Sequence, residues 1–169
     1  HNLKQMSATL MLYQQYGFSS PDELDEALTA VNAEMQDSRS QIKTLESTIR
    51  EKKELQRHVL DYAATKPTRD GLKAQKSDKA RRAYREQHES DFIIADAAKR
   101  YFQSHGIEKL PSSKKLQAEI NSLTAEKNGI YNTYREQRER VRELQTVKSN
   151  IDHILRREQS QRKKQEIDR

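Results

Sequence analysis

Between Ser113 and Arg162 the chain carries a ladder at Leu116, Ile120, Leu123, Lys127, Ile130, Tyr134, Gln137, Val141, Leu144, Lys148, Ile151 and Leu155. The steps alternate four and three without a slip, which is the a/d seam of a helix built to lie along another helix. Nine of the twelve positions are apolar, and the exceptions are Lys127, Gln137 and Lys148. Asn128-Gly129 is a turn signal, yet Leu123, Lys127, Ile130 and Tyr134 hold their phase through it. The spacing therefore predicts one uninterrupted helix, with a cost of about 1 kcal/mol for the interior glycine. A helix of roughly 50 residues is ~75 Å long. No compact core needs an element of that length, so the sequence predicts a rod with something attached.

A second ladder supplies the partner: Leu24, Leu28, Val31, Met35, Ser38, Ile42, Leu45 and Ile49. After Lys52 its apolar residues shift to Leu55, Val59 and Tyr62, a rotation of the apolar face that predicts a third helix joining there. The start is marked by Ser20 as N-cap, Pro21 at the first helical position, and Asp22 and Glu23 at the positive end of the dipole, with Glu23 completing a capping box. Lys66-Pro67 predicts its end, because the residue before a proline is pushed out of the helical region. Upstream, Leu3, Met6, Leu10 and Tyr13 share one face of a short helix, flanked by Leu12 and Tyr16, and Gly17 is placed to stop it.

The two long helices match in length. Set antiparallel, they pair Leu24 with Leu155, Leu28 with Ile151, Met35 with Leu144, Leu45 with Tyr134, Ile49 with Ile130 and Val59 with Ile120. That register also stacks Lys52 on Lys127, and any four-three ladder matches another in some register. A parallel up-down-up bundle stays open as the alternative. Residues 67–112 decide between them. Ser77-Asp78 can start a helix, and Ser90-Asp91 offers a second start before Phe92, Ile93, Ile94, Tyr101 and Phe102, the densest apolar cluster; Gly106 then stops it, with Ile107 beyond the cap. A break near Glu89 makes this stretch a compact helical head; an unbroken helix makes it a third rod of a bundle. Leu110-Pro111-Ser112-Ser113 leads into the last helix.

The resulting expectation is an all-α fold, one elongated helical domain over 1–169. It comprises a first helix over 1–16, a long helix over 20–66, a basic loop and helical head over 67–112, a second long helix over 113–162 and a tail over 163–169. Four Gly and three Pro leave few turns, and the apolar spacing is helical rather than alternating, so no strands are expected. With 33% hydrophobic and 34% charged residues, the surface must be large for the volume. The absence of Cys excludes disulfides and thiolate metal sites and fits a reducing compartment, so a cytoplasmic location is expected. The longest strongly apolar run, Phe92-Ile93-Ile94-Ala95, falls far short of a bilayer span, so no membrane partner is expected. The chain begins without a methionine at position 1 and reads as a segment of a longer protein.

Charge is segregated. Residues 66–85 hold Lys66, Arg69, Lys73, Lys76, Lys79, Arg81, Arg82 and Arg85 against Asp70 and Asp78, which equals the whole net charge of +6. The remainder sums to zero. Such segregation is the footprint of a phosphate-backbone binder, so Arg69, Lys73, Lys76, Lys79, Arg81, Arg82 and Arg85 are the candidate nucleic-acid-binding residues, with Gly71 keeping the loop pliable. The bland alternative is a solvated mixed-charge helix, or a surface for an acidic protein partner. Tyr84 is the only aromatic inside the stretch, which is thin for single-strand stacking. A second basic run, Arg156, Arg157, Arg162, Lys163, Lys164 and Arg169, is diluted by Glu158, Glu166 and Asp168 and reads as a fraying end.

No catalytic constellation, metal site or cofactor is expected. His1, His58, His88, His105 and His153 lack the spacing of a metal pair, and there is no Gly-rich phosphate loop, Gly-x-Ser-x-Gly elbow or Cys nucleophile. Of the seven tyrosines, Tyr101, Tyr131 and Tyr134 are expected in the core.

Four phrases carry a family likeness: the opening His1-Asn2-Leu3-Lys4-Gln5-Met6, Gly17-Phe18-x-Ser20-Pro21-x-Glu23-Leu24, Leu110-Pro111-Ser112, and Lys148-Ser149-Asn150-Ile151-Asp152-His153-Ile154-Leu155. From about residue 1 to 156 the chain resembles the C-terminal region of relaxases, the mobilisation nucleases of conjugative elements in bacteria. In that family an N-terminal nuclease domain uses a tyrosine and a metal-bound histidine cluster to nick transfer-origin DNA and stays attached to the 5′ end. This chain lacks the histidine cluster, so no catalytic residue carries over. The resemblance implies a non-catalytic arm whose partners are DNA and the relaxosome or secretion coupling proteins. The competing expectation is a coiled-coil assembly module that pairs as a homodimer, with the basic loop incidental.

Overall fold

The computed structural model describes the backbone of residues 2–167 and the side chains of residues 7–164. Leu3 and Met6, expected on the first apolar face, therefore lie outside the described side chains, as do Glu166, Asp168 and Arg169 of the tail. The fold is all-α, with six helices among the described residues: α1 Asn2–Gln15, α2 Pro21–Ala64, α3 Lys66–Ala74, α4 Asp78–Gln87, α5 Glu89–Ser104 and α6 Ser113–Ile167. Two compact units are present, one built from residues 1–42 and 128–169, the other from residues 43–127.

In the first unit α1 ends as its sequence demands. Gly17 adopts φ +68°; its N–H donates to the Gln14 carbonyl and the Phe18 N–H to the Tyr13 carbonyl, the paired bonds of a Schellman stop. The accompanying apolar contact is Tyr13 on Phe18, rings 5.6 Å apart. At the start of α2 the Glu23 N–H donates to Ser20 Oγ at 3.3 Å. The Glu23 carboxylate turns back to the Ser19 N–H at 2.6 Å, one residue earlier than a standard capping box.

The core of this unit is Leu24, Val31, Val141, Leu144 and Val147, with Leu12, Tyr13, Tyr16, Phe18, Leu28 and Ile151 packed around them. This corrects the ladder at two positions. Val147 is fully buried where Lys148 was expected on the seam, and Leu155 is 41% exposed while its neighbour Ile154 is half-buried. The reason is α1. A helix facing one partner buries a narrow seam, but α1 adds a second neighbour and widens the buried stripe. Asn150 Nδ2, on the same flank, donates to Thr9 Oγ1 at 2.7 Å. Lys148 stays half-exposed and pairs with Asp25.

In the second unit the end of α2 and the start of α6 run antiparallel. Glu46 pairs with Lys127 at 3.8 Å, Lys52 with Glu119 at 2.5 Å, and Gln56 Nε2 donates to the Ser113 carbonyl at 3.2 Å. Numbers rise on one helix as they fall on the other, which removes the parallel alternative. The register, however, differs from the expected one by about one heptad. A heptad slip keeps apolar residues opposite apolar residues, so burial alone cannot choose. Charge does: the expected register put Lys52 against Lys127, whereas here each lysine meets a glutamate.

The rotation of the α2 face after Lys52 has the expected cause. Val59 shares a core with Ala98 and Phe102 of α5 and Leu116 of α6, joined by Leu55, Tyr62, Tyr101 and Ile107. Gly106, at φ +64°, closes α5 with a second Schellman pair, Ile107 N–H to the Phe102 carbonyl and Gly106 N–H to the Gln103 carbonyl. The break expected near Glu89 falls at His88, between α4 and α5. Of the dense apolar cluster, Phe92 and Phe102 are buried, but Ile93 and Ile94 are 59% and 42% exposed. Tyr131, expected in the core, is also exposed.

Candidate nucleic-acid interface

The stretch expected as a pliable basic loop is mostly helix. Lys66-Pro67 does interrupt α2, but the break is the single residue Thr65, and Pro67 then sits in the first turn of α3. There its missing N–H would have had no partner in any case, so proline starts a helix instead of leaving a coil. After α3 a short gap, Gln75 to Ser77, leads to α4, whose N-cap Ser77 accepts from the Ala80 N–H at 3.2 Å.

Three small helices are locked together by specific contacts. The Thr68 hydroxyl donates to the Asp91 carboxylate, tying α3 to α5. Gly71 faces Tyr84 of α4, and a methyl group there would lie 2.1 Å from the tyrosine hydroxyl. Gly71 thus seats a ring; it does not loosen the chain. The signal in the sequence was a glycine inside a helix-compatible run, which is a packing cue as often as a break. Tyr84 in turn lies against the His88 ring at 4.3 Å and meets Phe92 edge-on at 6.5 Å.

The seven candidate cations divide into two groups. Arg69 reaches back to the end of α2: its guanidinium donates to the Tyr62 carbonyl at 2.7 Å and lies 3.6 Å from the centre of the Tyr62 ring. With the Thr65 hydroxyl, which donates to the same oxygen at 3.0 Å, it caps the Tyr62 carbonyl in the last turn of α2. Arg81 closes the gap before its own helix, donating to the Gln75 carbonyl at 3.2 Å and to Asp78 at 3.3 Å. Arg85 lies over the Phe92 ring at 5.2 Å. These three guanidiniums hold the head together. Lys76, Lys79 and Arg82 are exposed and carry no ion pair among the described residues, and Lys73 has only a loose contact with Asp70 at 4.0 Å. Lys66, hydrogen-bonded to Asp70, holds that carboxyl below its ordinary value of 3.8. What the arrangement offers chemically is exposed ammonium groups together with the exposed Arg82 guanidinium, suited to phosphate oxygens.

Elsewhere His58, Tyr101 and His105 form a three-ring stack, with centroids 4.1 and 4.0 Å apart. Burial, followed by the charges of Glu54 and Glu51, raises the Tyr101 phenol above its ordinary 10.0. Among the described residues no group of three or more His, Cys, Asp or Glu is placed to hold a metal ion, and no helix is long and apolar enough to cross a membrane. No family model, no curated protein and no solved structure matches the chain.

Proposed function

We propose that the chain is a non-catalytic arm of a DNA relaxase acting in the mobilisation of conjugative plasmids or transposons in the bacterial cytoplasm. In this reading the head contacts the DNA backbone, and the helical pairs serve as surfaces for relaxosome or secretion coupling proteins. The observation that carries it is the charge distribution: residues 66–85 hold the whole excess of +6. A solvated helix has no reason to segregate one sign, whereas each cation set against a phosphate releases a counterion and strengthens binding. The phrases that resemble relaxase C-terminal regions are the reason for proposing that parent class, and they say nothing about catalysis.

The test is binding of the chain to mixed-sequence DNA across a salt series. Replacing Lys76, Lys79 and Arg82 by Gln is expected to lower the log-log salt slope by up to about 2.7, at about 0.9 per duplex contact, with helical content intact. Absence of binding at ~50 mM salt, where backbone contacts are strongest, sinks the reading. A second reading, a protein-assembly module without nucleic-acid contact, draws support from the exposed Ile93 and Ile94 on α5. The mass of the chain in solution, measured with both residues intact and with both changed to Ser, tests it.

A further inference from the structure

Resting on the DNA-contacting reading above, we infer that the ligand of the head is double-stranded nucleic acid, gripped by its backbone through Lys73, Lys76, Lys79 and Arg82 and not through the other three candidate arginines. A single strand is held by stacking its bases on open aromatic faces, while a duplex hides its bases and presents phosphates. Beside the basic surface the ring that would serve for stacking is already committed. Tyr84 has its hydroxyl end in the notch at Gly71 and its ring against His88 and Phe92. Phe92 is 9% exposed and lies under the Arg85 guanidinium. The other rings of this unit on α2 and α5 stack on one another: His58 and His105 on Tyr101, and Tyr62 edge-on to Phe102 beneath Arg69.

The cations point the same way. The commonest base-specific contact in a groove is a bidentate guanidinium; Arg69 is bonded to Tyr62 and Arg81 to Gln75 and Asp78, while Arg85 lies over the Phe92 ring. Of the four groups that grip in this reading, three are lysines, which act as point charges toward phosphate without selecting a base. Lys79 and Arg82 stand three residues apart on α4 and share its face, and Lys76 precedes the Ser77 cap. Exposed positive charge on one short stretch, with the Tyr84 and Phe92 rings packed against their neighbours, suits a grip for a phosphate backbone, indifferent to sequence.

The experiment uses the full chain and fluorescence anisotropy, with a mixed-sequence duplex and with one of its strands at equal length. The duplex is expected to bind more tightly, and four contacts imply a loss of about a hundredfold between ~50 and ~200 mM salt. Changing Lys73, Lys76, Lys79 and Arg82 together to Gln is expected to remove about 3.6 from the salt slope, and the Lys76 and Arg82 pair alone about 1.8. Arg81→Gln and Arg85→Gln are expected to leave the slope unchanged while lowering the melting temperature. Equal or tighter binding of the single strand overturns the inference and leaves the DNA reading standing. So does a slope that falls as much with the Arg81 and Arg85 variants as with the lysine set. No binding to either form at ~50 mM salt, or salt-sensitive self-association in its place, overturns both.

Discussion

At the scale of single residues, the head depends on one absent methyl group. Gly71→Ala gains helix propensity of about 1 kcal/mol but drives a carbon into the Tyr84 ring, and overpacking of this kind costs about 1–3 kcal/mol. The net expectation is destabilisation by about 1 kcal/mol in urea unfolding, because the ring must leave its seat. In a Tyr84→Ala background the same Gly71→Ala change is expected to turn stabilising. A loss of equal size in both backgrounds would show that the notch plays no part. Tyr16 gives a second test. The Glu143 carboxylate accepts its hydroxyl at 2.8 Å, and that bond, followed by burial and the carboxylate charge, raises the phenol above 10.0. A raised group contributes stability fully present below its unfolded value and lost as pH rises through its folded value. The bond is therefore present at neutral pH and lost only above pH 10.0. Glu143→Gln is expected to bring the Tyr16 titration down toward 10.0, read from tyrosinate absorbance against a Tyr16→Phe control.

Helix α6 poses the questions that belong to whole elements. It passes through Asn128-Gly129 without a break, Gly129 has no positive φ, and a methyl group there would meet nothing within 4 Å. Gly129→Ala is thus expected to raise stability by about 0.5–1 kcal/mol, since only the freedom of the unfolded chain is lost. A destabilising result would mean that the helix is kinked there. Register is the other property of an element. The chain has no cysteine, so introduced thiols report without background. Cysteines at Glu46 and Lys127, whose side chains meet at 3.8 Å, are expected to be joined by a short thiol cross-linker. Cysteines at Lys52 and Lys127 are expected to resist it. The opposite pattern would restore the register one heptad away. Glu119 supports the observed one: the Lys52 hydrogen bond holds its carboxyl below the ordinary 4.5. That contribution is present above pH 4.5 and fades as acid protonates the folded state.

Taken as a whole, the molecule concentrates an excess equal to its net charge of +6 in residues 66–85, while the other residues sum to zero. Incubation of the chain with supercoiled DNA and divalent metal is expected to leave the DNA uncut, because among the described residues no group of three or more His, Cys, Asp or Glu is placed to hold a metal ion. Metal-dependent nicking by this chain alone would overturn the non-catalytic reading.

Much of this was legible in the residues because it depends on contacts close in the chain. The stops at Gly17 and Gly106, the starts at Ser20, Ser77 and Ser112, and the passage through Gly129 follow from local backbone preferences and from hydrogen bonds spanning three to five residues. The all-α class follows from apolar spacing, and the arrival of a third helix beside Val59 from a phase shift in it. Long-range geometry decided the rest. A ladder that repeats every seven residues fits itself equally well one heptad away, and only the meeting of Lys52 with Glu119 and Lys127 with Glu46 selects a register. Eight cations in twenty residues look alike in one dimension. Which of them are engaged depends on what each can reach: Arg69 finds the end of α2, Arg81 the gap before α4 and Arg85 the Phe92 ring. Lys76, Lys79 and Arg82 are exposed and meet no partner among the described residues.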